Sequence, residues 1–214
     1  MQLEAADSSD SSNLLMILEE KRDNFKHYLK ISGIGEIARR YFIMNAFDGA
    51  VTMLGILIGA YVGGAVSPKI ILSAGLGAGI AMGVSGFFGA YLAEEAERSR
   101  RIRSLEKALH IDLDDTLIGR AATFAAVMAA LIDALSPMLA ALISISPFIL
   151  SFMGILDPWL SYMISIGLIL TLLLILGIFL GKVSGENTLY YALATTSAGL
   201  VTGLIGIFLQ VLFS

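Results

Sequence analysis

The sequence predicts an all-α polytopic membrane protein with about five transmembrane helices and an N-terminal amphipathic helix. Hydrophobic residues make up 57% of the 214 residues and charged residues only 15%, a balance that excludes a disordered protein and is unusual for a soluble domain. The charges are also segregated, because residues 43–93 contain two of them and residues 123–214 contain four. Uncharged apolar stretches of this length indicate membrane spans, each of which needs about 20 residues.

The N-terminal region is predicted to precede the membrane domain as two segments. Residues 1–12 are acidic and Ser-rich and lack the basic start and apolar centre of a signal peptide, so we expect a disordered tail. Residues 13–35 are predicted to form an amphipathic cytoplasmic helix, since apolar residues recur among charged ones at a helical period. Residues 36–214 are then the five-helix transmembrane domain, with a cytoplasmic loop at 94–120.

The predicted spans are 43–65, 70–93, 121–150, 160–181 and 189–213. Residues that break or cap helices separate them: Pro68 after the first span, Asp157 and Pro158 before the fourth, and the segment 182–187 before the fifth. The third segment contains Pro137 and Pro147, which predict a kink or a break.

The distribution of Lys and Arg predicts the orientation in the membrane. With five spans, 13 of the 14 basic side chains fall on one side, and Lys69 alone falls on the other. Basic residues accumulate on the cytoplasmic side of membrane proteins. We therefore expect an integral protein of the cell membrane with its N-terminus in the cytoplasm and its C-terminus outside.

Two carboxylates inside predicted spans are candidate functional residues, because ionisable groups are costly in a bilayer. Asp48 lies shortly inside the first span. It is either an interfacial carboxylate bonded to backbone or to an Arg, or a cation ligand and proton carrier in a polar cavity. In the second case a proton and a metal ion compete for it.

Asp133 lies 13 residues after Arg120, which at ~1.5 Å per helical residue is close to the bilayer centre. Pro137 follows four residues later and removes the helical hydrogen bond to the carbonyl of Asp133. The position could therefore offer both a carboxylate and a free carbonyl, which are oxygen ligands for hard cations. The alternative is a structural Asp hydrogen-bonded between helices.

Further candidate metal ligands lie in the second span and in the segment that follows it. Met82 could supply a thioether, which favours softer transition metals. The segment 94–120 could collect metal ions with Glu94, Glu95, Glu97, Glu106 and His110, of which the last two share a predicted helical face. The alternative is a solvated helical extension in which Glu94–Arg98 and Glu97–Arg101 are i,i+4 ion pairs.

The glycines of the spans predict close helix contacts and a homodimer. Gly55, Gly59 and Gly63 recur every four residues in the first span, as do Gly75, Gly79 and Gly83 in the second. Such small-xxx-small faces let helices approach closely, and we expect the first or second span at the dimer interface.

Several functional classes lack any sequence signal. There is no cysteine, which excludes disulfides and metal–thiolate sites. No phosphate loop, nucleophile–base pair or zincin motif is present, so we expect neither an enzyme nor a tightly bound cofactor. Nothing points to nucleic acid. The expected partners are the lipid bilayer, a divalent metal ion, protons and a second copy of the chain.

The first span resembles that of the vacuolar iron transporter family. Members of that family have an Arg, then an Asp-Gly pair and a run rich in Val, Thr and Gly; here these are Arg39, Arg40, Asn45, Phe47, Asp48, Gly49, Val51, Thr52 and Gly55. The motif at the end of the family's second span is matched by Ser85, Gly89, Tyr91 and Leu92, and the proline-rich end of its third span by Ser144 and Pro147. The resemblance covers residues 39–213.

This resemblance implies a five-span transporter that moves Fe²⁺ or Mn²⁺ out of the cytoplasm, in exchange for protons, with Asp48 as the main membrane ligand. The chain departs from the family at Gly86, where the motif has Met, and at Ala90, where it has Glu. Met82, one turn earlier, is a possible substitute, and the segment 94–120 is shorter and richer in Arg than the family's Glu-rich domain. The alternative function is a non-transporting packing or interaction protein that keeps the fold without the ligands.

Overall fold

A computed structural model describes residues 34–64, 67–113 and 116–213 of the chain. In these ranges it contains five α-helices and no strand: α1 (Ile34–Val62), α2 (Pro68–Leu109), α3 (Leu117–Phe152), α4 (Pro158–Ser184) and α5 (Thr188–Phe213). All five are long and apolar enough to cross a membrane. The predicted all-α polytopic fold is therefore confirmed, while the predicted tail and amphipathic helix fall outside the described residues.

The contacts of the chain divide it into two compact units. The loop unit contains the described residues up to Ile37 and Tyr91–Ala129. The core unit contains Ala38–Ala90 and the chain from Ala130 onward. The core unit holds the main cluster of buried apolar side chains, contributed by α1, α2, α3 and α4: Ala50, Met53, Leu54, Leu57, Ile71, Ala141, Ile145, Phe148, Tyr162, Ile169 and Leu173.

Local capping signals define the ends of α4. Asp157 is its N-cap and accepts a hydrogen bond of 2.8 Å from the backbone N–H of Trp159. Pro158 occupies the first turn, where its missing N–H is not needed. At the other end Gly185 adopts φ 69°, the left-handed conformation that terminates many helices. The turn predicted at Asp157–Pro158 is thus confirmed, whereas the turn predicted at 182–187 is limited to residues 185–187, because α4 continues to Ser184.

Two predicted irregularities prove to be helical. α2 continues without interruption to Leu109, so most of the predicted loop 94–120 is helix. α3 contains both Pro137 and Pro147 and is not broken. At Pro147 the reason is visible, because the Ser146 hydroxyl donates a 2.8 Å hydrogen bond to the Ile143 carbonyl that the proline leaves without its helical partner.

Gly75 and Gly79 of α2 pack inside the chain, whereas Gly55 and Gly59 of α1 do not. A Cβ atom on Gly75 would lie 2.7 Å from the Ile145 side chain, and one on Gly79 would lie 3.2 Å from the Ala141 methyl, both on α3. Cβ atoms on Gly55 and Gly59 would meet no atom within 4 Å. The small face of α2 is therefore occupied by α3, while that of α1 is open in the single chain.

Candidate cation site

Asp133 is the best-buried carboxylate of the core unit, with 8% of its surface exposed. Asn45 on α1 positions it, because the Asn45 side-chain amide donates to Asp133 Oδ1 and also, at 2.8 Å, to the Tyr41 carbonyl. A buried carboxylate without such a donor would be strongly unfavourable. The bond to Tyr41 lies within α1 itself, so the donor is held in place by its own helix.

Gly86 on α2 packs closely against Asp133 because it has no side chain. A Cβ atom at this position would lie 2.7 Å from Asp133 Oδ2 and 3.1 Å from the Asp133 carbonyl oxygen. Pro137 lacks the N–H that would bond this carbonyl in a regular helix. The carboxylate and the freed carbonyl of one residue therefore both face Gly86, in agreement with the oxygen pair predicted from the Asp133–Pro137 spacing.

Asp48 lies three residues after Asn45 on α1, and its side chain is exposed in the single chain. Its carboxylate charge interacts unfavourably with that of Asp133. The next residue, Gly49, packs directly on Pro137, since a Cβ on Gly49 would lie 2.7 Å from Pro137 Cα. The Asp-Gly pair thus brings α1 against the turn of α3 that carries Asp133.

The site combines two carboxylates, one free backbone carbonyl and one side-chain amide, which are the ligand types of hard divalent cations. The described residues contain no group of three or more His, Asp or Glu side chains that could hold a metal ion. A cation held by Asp133 would therefore have at most two carboxylate ligands, Asp133 and Asp48, and otherwise neutral oxygens. We define Asn45, Asp48, Gly86 and Asp133 as the oxygen site.

The structure gives Met82 an apolar environment. Its side chain is partly buried and packs against the buried apolar cluster of the core unit. The three atoms nearest to a Cβ on Gly86 all belong to Asp133. The oxygens of Asp133 thus lie beside Gly86, and the role of Met82 as a metal ligand stays a prediction.

The acidic residues predicted to collect metal in the segment 94–120 are engaged separately. Glu94 pairs with Arg98 at 3.1 Å and Glu97 with Arg101 at 3.3 Å, which confirms the two predicted i,i+4 ion pairs. Glu106 accepts a 3.0 Å hydrogen bond from the Leu113 N–H. The helical face predicted for Glu106 and His110 is incomplete, because α2 ends at Leu109 and His110 has a left-handed φ of 55°.

A cavity of about 600 Å³ in the loop unit is lined by two of these acids, Glu95 and Glu106, together with Arg98 and Arg103. Two guanidinium groups beside two carboxylates offset the negative charge that would attract a divalent cation. The structure therefore does not bring the predicted five acidic and His side chains together around one metal position.

Sequence reasoning did not assign Asn45 and Gly86 to the site. For Asn45 a signal existed, since a polar amide three residues before Asp48 lies on the neighbouring part of the same helix. For Gly86 the signal was that the family motif has Met at this position. In the sequence this difference suggests a lost ligand, whereas in the structure the oxygens of Asp133 lie beside Gly86.

Comparisons with known proteins give one relative that covers most of the chain. No model of a known protein family matches the chain, and no solved structure matches it. The relative is the "Uncharacterized protein MJ0645" of Methanocaldococcus jannaschii, which is 32% identical over 174 residues, 80% of this chain and 87% of the relative. With this identity over most of both sequences, the chain belongs to the same protein family as MJ0645.

Proposed function

We propose that the protein is a divalent transition-metal transporter that moves Fe²⁺ or Mn²⁺ out of the cytoplasm in exchange for protons. The observation that carries the proposal is the oxygen site, in which the buried Asp133 and the neighbouring Asp48 lie within membrane-spanning helices. Ionisable residues are rare in spans and mark ion or proton pathways. The resemblance of the Asp48–Gly49 segment to the vacuolar iron transporters supports the same function.

The exchange follows from the two carboxylates. Their like charges repel each other, so the pair is stabilised either by protons or by a divalent cation. Carboxylates bind metal in the deprotonated form, so metal entry displaces protons and proton entry displaces metal. A proton gradient directed into the cell would then drive the metal outward.

Purified protein in proteoliposomes tests the function directly. We expect Mn²⁺ or Fe²⁺ flux that depends on an imposed pH gradient, in a panel of divalent metals. Folded protein that carries none of these metals would favour the non-transporting membrane protein instead. That alternative draws on the absence, among the described residues, of any cluster of three or more metal-binding side chains.

We expect the N-terminus and the segment 94–120 in the cytoplasm and the C-terminus outside. The chain has no cysteine, so single cysteines report orientation without background labelling. A cysteine at Ser104 should be labelled by an impermeant maleimide only from the cytoplasmic side, and one at Ser214 only from outside. Labelling of both from the same side would contradict five spans.

The open face of α1 supports the proposal of a homodimer. Asp48, Thr52, Gly55 and Gly59 are all exposed and recur at intervals of three or four residues, so they form one stripe along the helix. A carboxylate facing lipid is costly, whereas glycines favour close packing against another helix. A second copy of the chain would cover both features of this stripe.

We therefore expect Gly59→Leu to disrupt the dimer and leave the fold of each chain intact, because nothing lies within 4 Å of its added Cβ. Gly79→Leu is the matched comparison, since it meets Ala141 at 3.2 Å and should lower stability within the chain. Light scattering after size exclusion and crosslinking in lipid distinguish the two effects. A Gly59→Leu protein that still dimerises would exclude this face.

A further inference from the structure

The position of Asp133 depends on the absence of a side chain at residue 86. Any Cβ there would lie 2.7 Å from Asp133 Oδ2, which is closer than carbon atoms approach oxygen without a clash, and 3.1 Å from the Asp133 carbonyl oxygen, which is a tight contact. A methionine at this position would have to displace the carboxylate. Asp133 and a side chain at residue 86 are therefore alternatives for the same space.

Asn45 determines which oxygens of Asp133 remain for a cation. Its amide engages Oδ1, while Oδ2 is directed at Gly86 and receives no hydrogen bond from the described residues. The carbonyl oxygen of Asp133 faces the same glycine. Two oxygens of a residue that is nine-tenths buried thus lie on the same side of that residue, against Gly86.

None of the three atoms nearest to a Cβ on Gly86 belongs to a methionine. Met82 packs against the apolar cluster of the core unit, and the Met138 sulfur lies against Gly83, about one helical turn before Gly86 on α2. Thioethers favour soft metals, whereas carboxylates and carbonyls suit Mg²⁺, Ca²⁺ and Mn²⁺. A site without sulfur cannot use ligand softness to reject the hard alkaline-earth cations.

We infer that the oxygen site accepts hard divalent cations as a class, so that Mg²⁺ competes with the transported transition metal, and that Gly86 and Asn45 determine this selectivity. Gly86 acts by leaving room for the oxygens of Asp133, and Asn45 acts as a positioning residue. The flux measurement that tests this inference rests on the proposed function, whereas the measurement of Mn²⁺ binding does not depend on it.

The first experiment measures Mn²⁺ bound to the purified protein by electron paramagnetic resonance during titration with Mg²⁺ or Cd²⁺. We expect Mg²⁺ to displace Mn²⁺ from wild type. Gly86→Ala should weaken Mn²⁺ binding by about tenfold or more, and Asn45→Ala by about 10–100-fold, as for other residues that orient a ligand. Gly89→Ala, whose added Cβ meets nothing within 4 Å, should bind as wild type does.

A double substitution distinguishes a loss of Mn²⁺ binding caused by misfolding from a loss caused by displacement of the Asp133 carboxylate. In an Asp133→Asn background, Gly86→Ala should produce little further loss, because the displaced carboxylate is already absent. Gly86→Met should lower sensitivity to Mg²⁺ and raise Cd²⁺ affinity relative to Mn²⁺. Met138→Leu should leave the Cd²⁺-to-Mn²⁺ ratio unchanged, and a fall in that ratio would identify a sulfur ligand and overturn the inference.

Flux measurements distinguish the two proposals. Mn²⁺ transport that is insensitive to excess Mg²⁺ overturns the selectivity while leaving transport intact. If Mn²⁺ binding is sensitive to Mg²⁺ and requires Gly86, but no metal is transported, the binding site is supported and the proposed transport function is contradicted. Mn²⁺ binding that is equal in wild type, Gly86→Ala and Asp133→Asn would overturn the site itself.

Discussion

Replacement of Asp48 by Asn should abolish metal flux together with its dependence on pH. Asp48 is the sole acidic residue between Arg40 and Glu94, so no other carboxylate in the predicted first and second spans can supply its charge. The amide keeps the shape of the side chain but neither binds a proton at physiological pH nor neutralises a divalent cation. The exchange of metal for protons therefore loses one of its two carboxylates.

The fold should survive this change, because the Asp48 side chain is exposed in the single chain. Proteoliposome flux at several pH values, with dimer content measured in parallel, tests the prediction. Asp133→Asn should reduce flux less, since its backbone carbonyl remains. Asp157→Asn is the control, because asparagine also caps a helix N-terminus. Equal flux and an equal pH profile in wild type and Asp48→Asn would make Asp48 structural.

The sequence was sufficient for the helices because their signals are local. Charge-free stretches of about 20 residues identify spans wherever the rest of the chain lies, and Asp157 with Pro158 forms a helix start from two adjacent residues. The exact ends were less predictable. The extension of α2 to Leu109 depends on helix propensity and on pairs such as Glu94–Arg98, which hydropathy does not measure.

The oxygen site was only partly predictable, because its members come from three helices. The carboxylate and free carbonyl of Asp133 follow from the four-residue spacing to Pro137. The partnership with Asn45 joins residues 88 positions apart, and no periodicity within one helix reveals it. Gly86 matters because it has no side chain where Asp133 packs against it. This contact is visible only when α2 and α3 are packed together.

The acidic segment after the second span shows the opposite limitation. Its five candidate ligands are close in sequence, which suggested a metal site, yet helix geometry directs Glu94 and Glu97 to arginines one turn later. His110 leaves the helical register at the end of α2. Proximity in sequence therefore predicted the ion pairs correctly but did not assemble ligands around a common point.

Gly49→Ala should destabilise the protein and reduce transport together, because Gly49 is the contact between α1 and the proline turn of α3. The added methyl would lie 2.7 Å from Pro137 Cα and 2.8 Å from the Pro137 carbonyl oxygen. These are backbone atoms, so relief requires one helix to move, and overpacking of this kind costs about 1–3 kcal/mol. The same movement displaces the turn that presents Asp133 to Asn45, so the oxygen site loses its geometry as well.

Gly35→Ala on α1 is the matched control, since nothing lies within 4 Å of its added Cβ. Alanine exceeds glycine in helix propensity by up to about 1 kcal/mol, so this variant should be neutral or slightly more stable. Thermal unfolding followed by fluorescence-detected size exclusion measures both proteins in one detergent, and Mn²⁺ flux is measured in parallel. The two substitutions are chemically identical, so opposite signs of the shift in Tm isolate the Gly49–Pro137 contact. A Gly49→Ala protein as stable and as active as Gly35→Ala would show that α1 and α3 can separate without affecting the site, and the contact would then have no role in positioning Asp133.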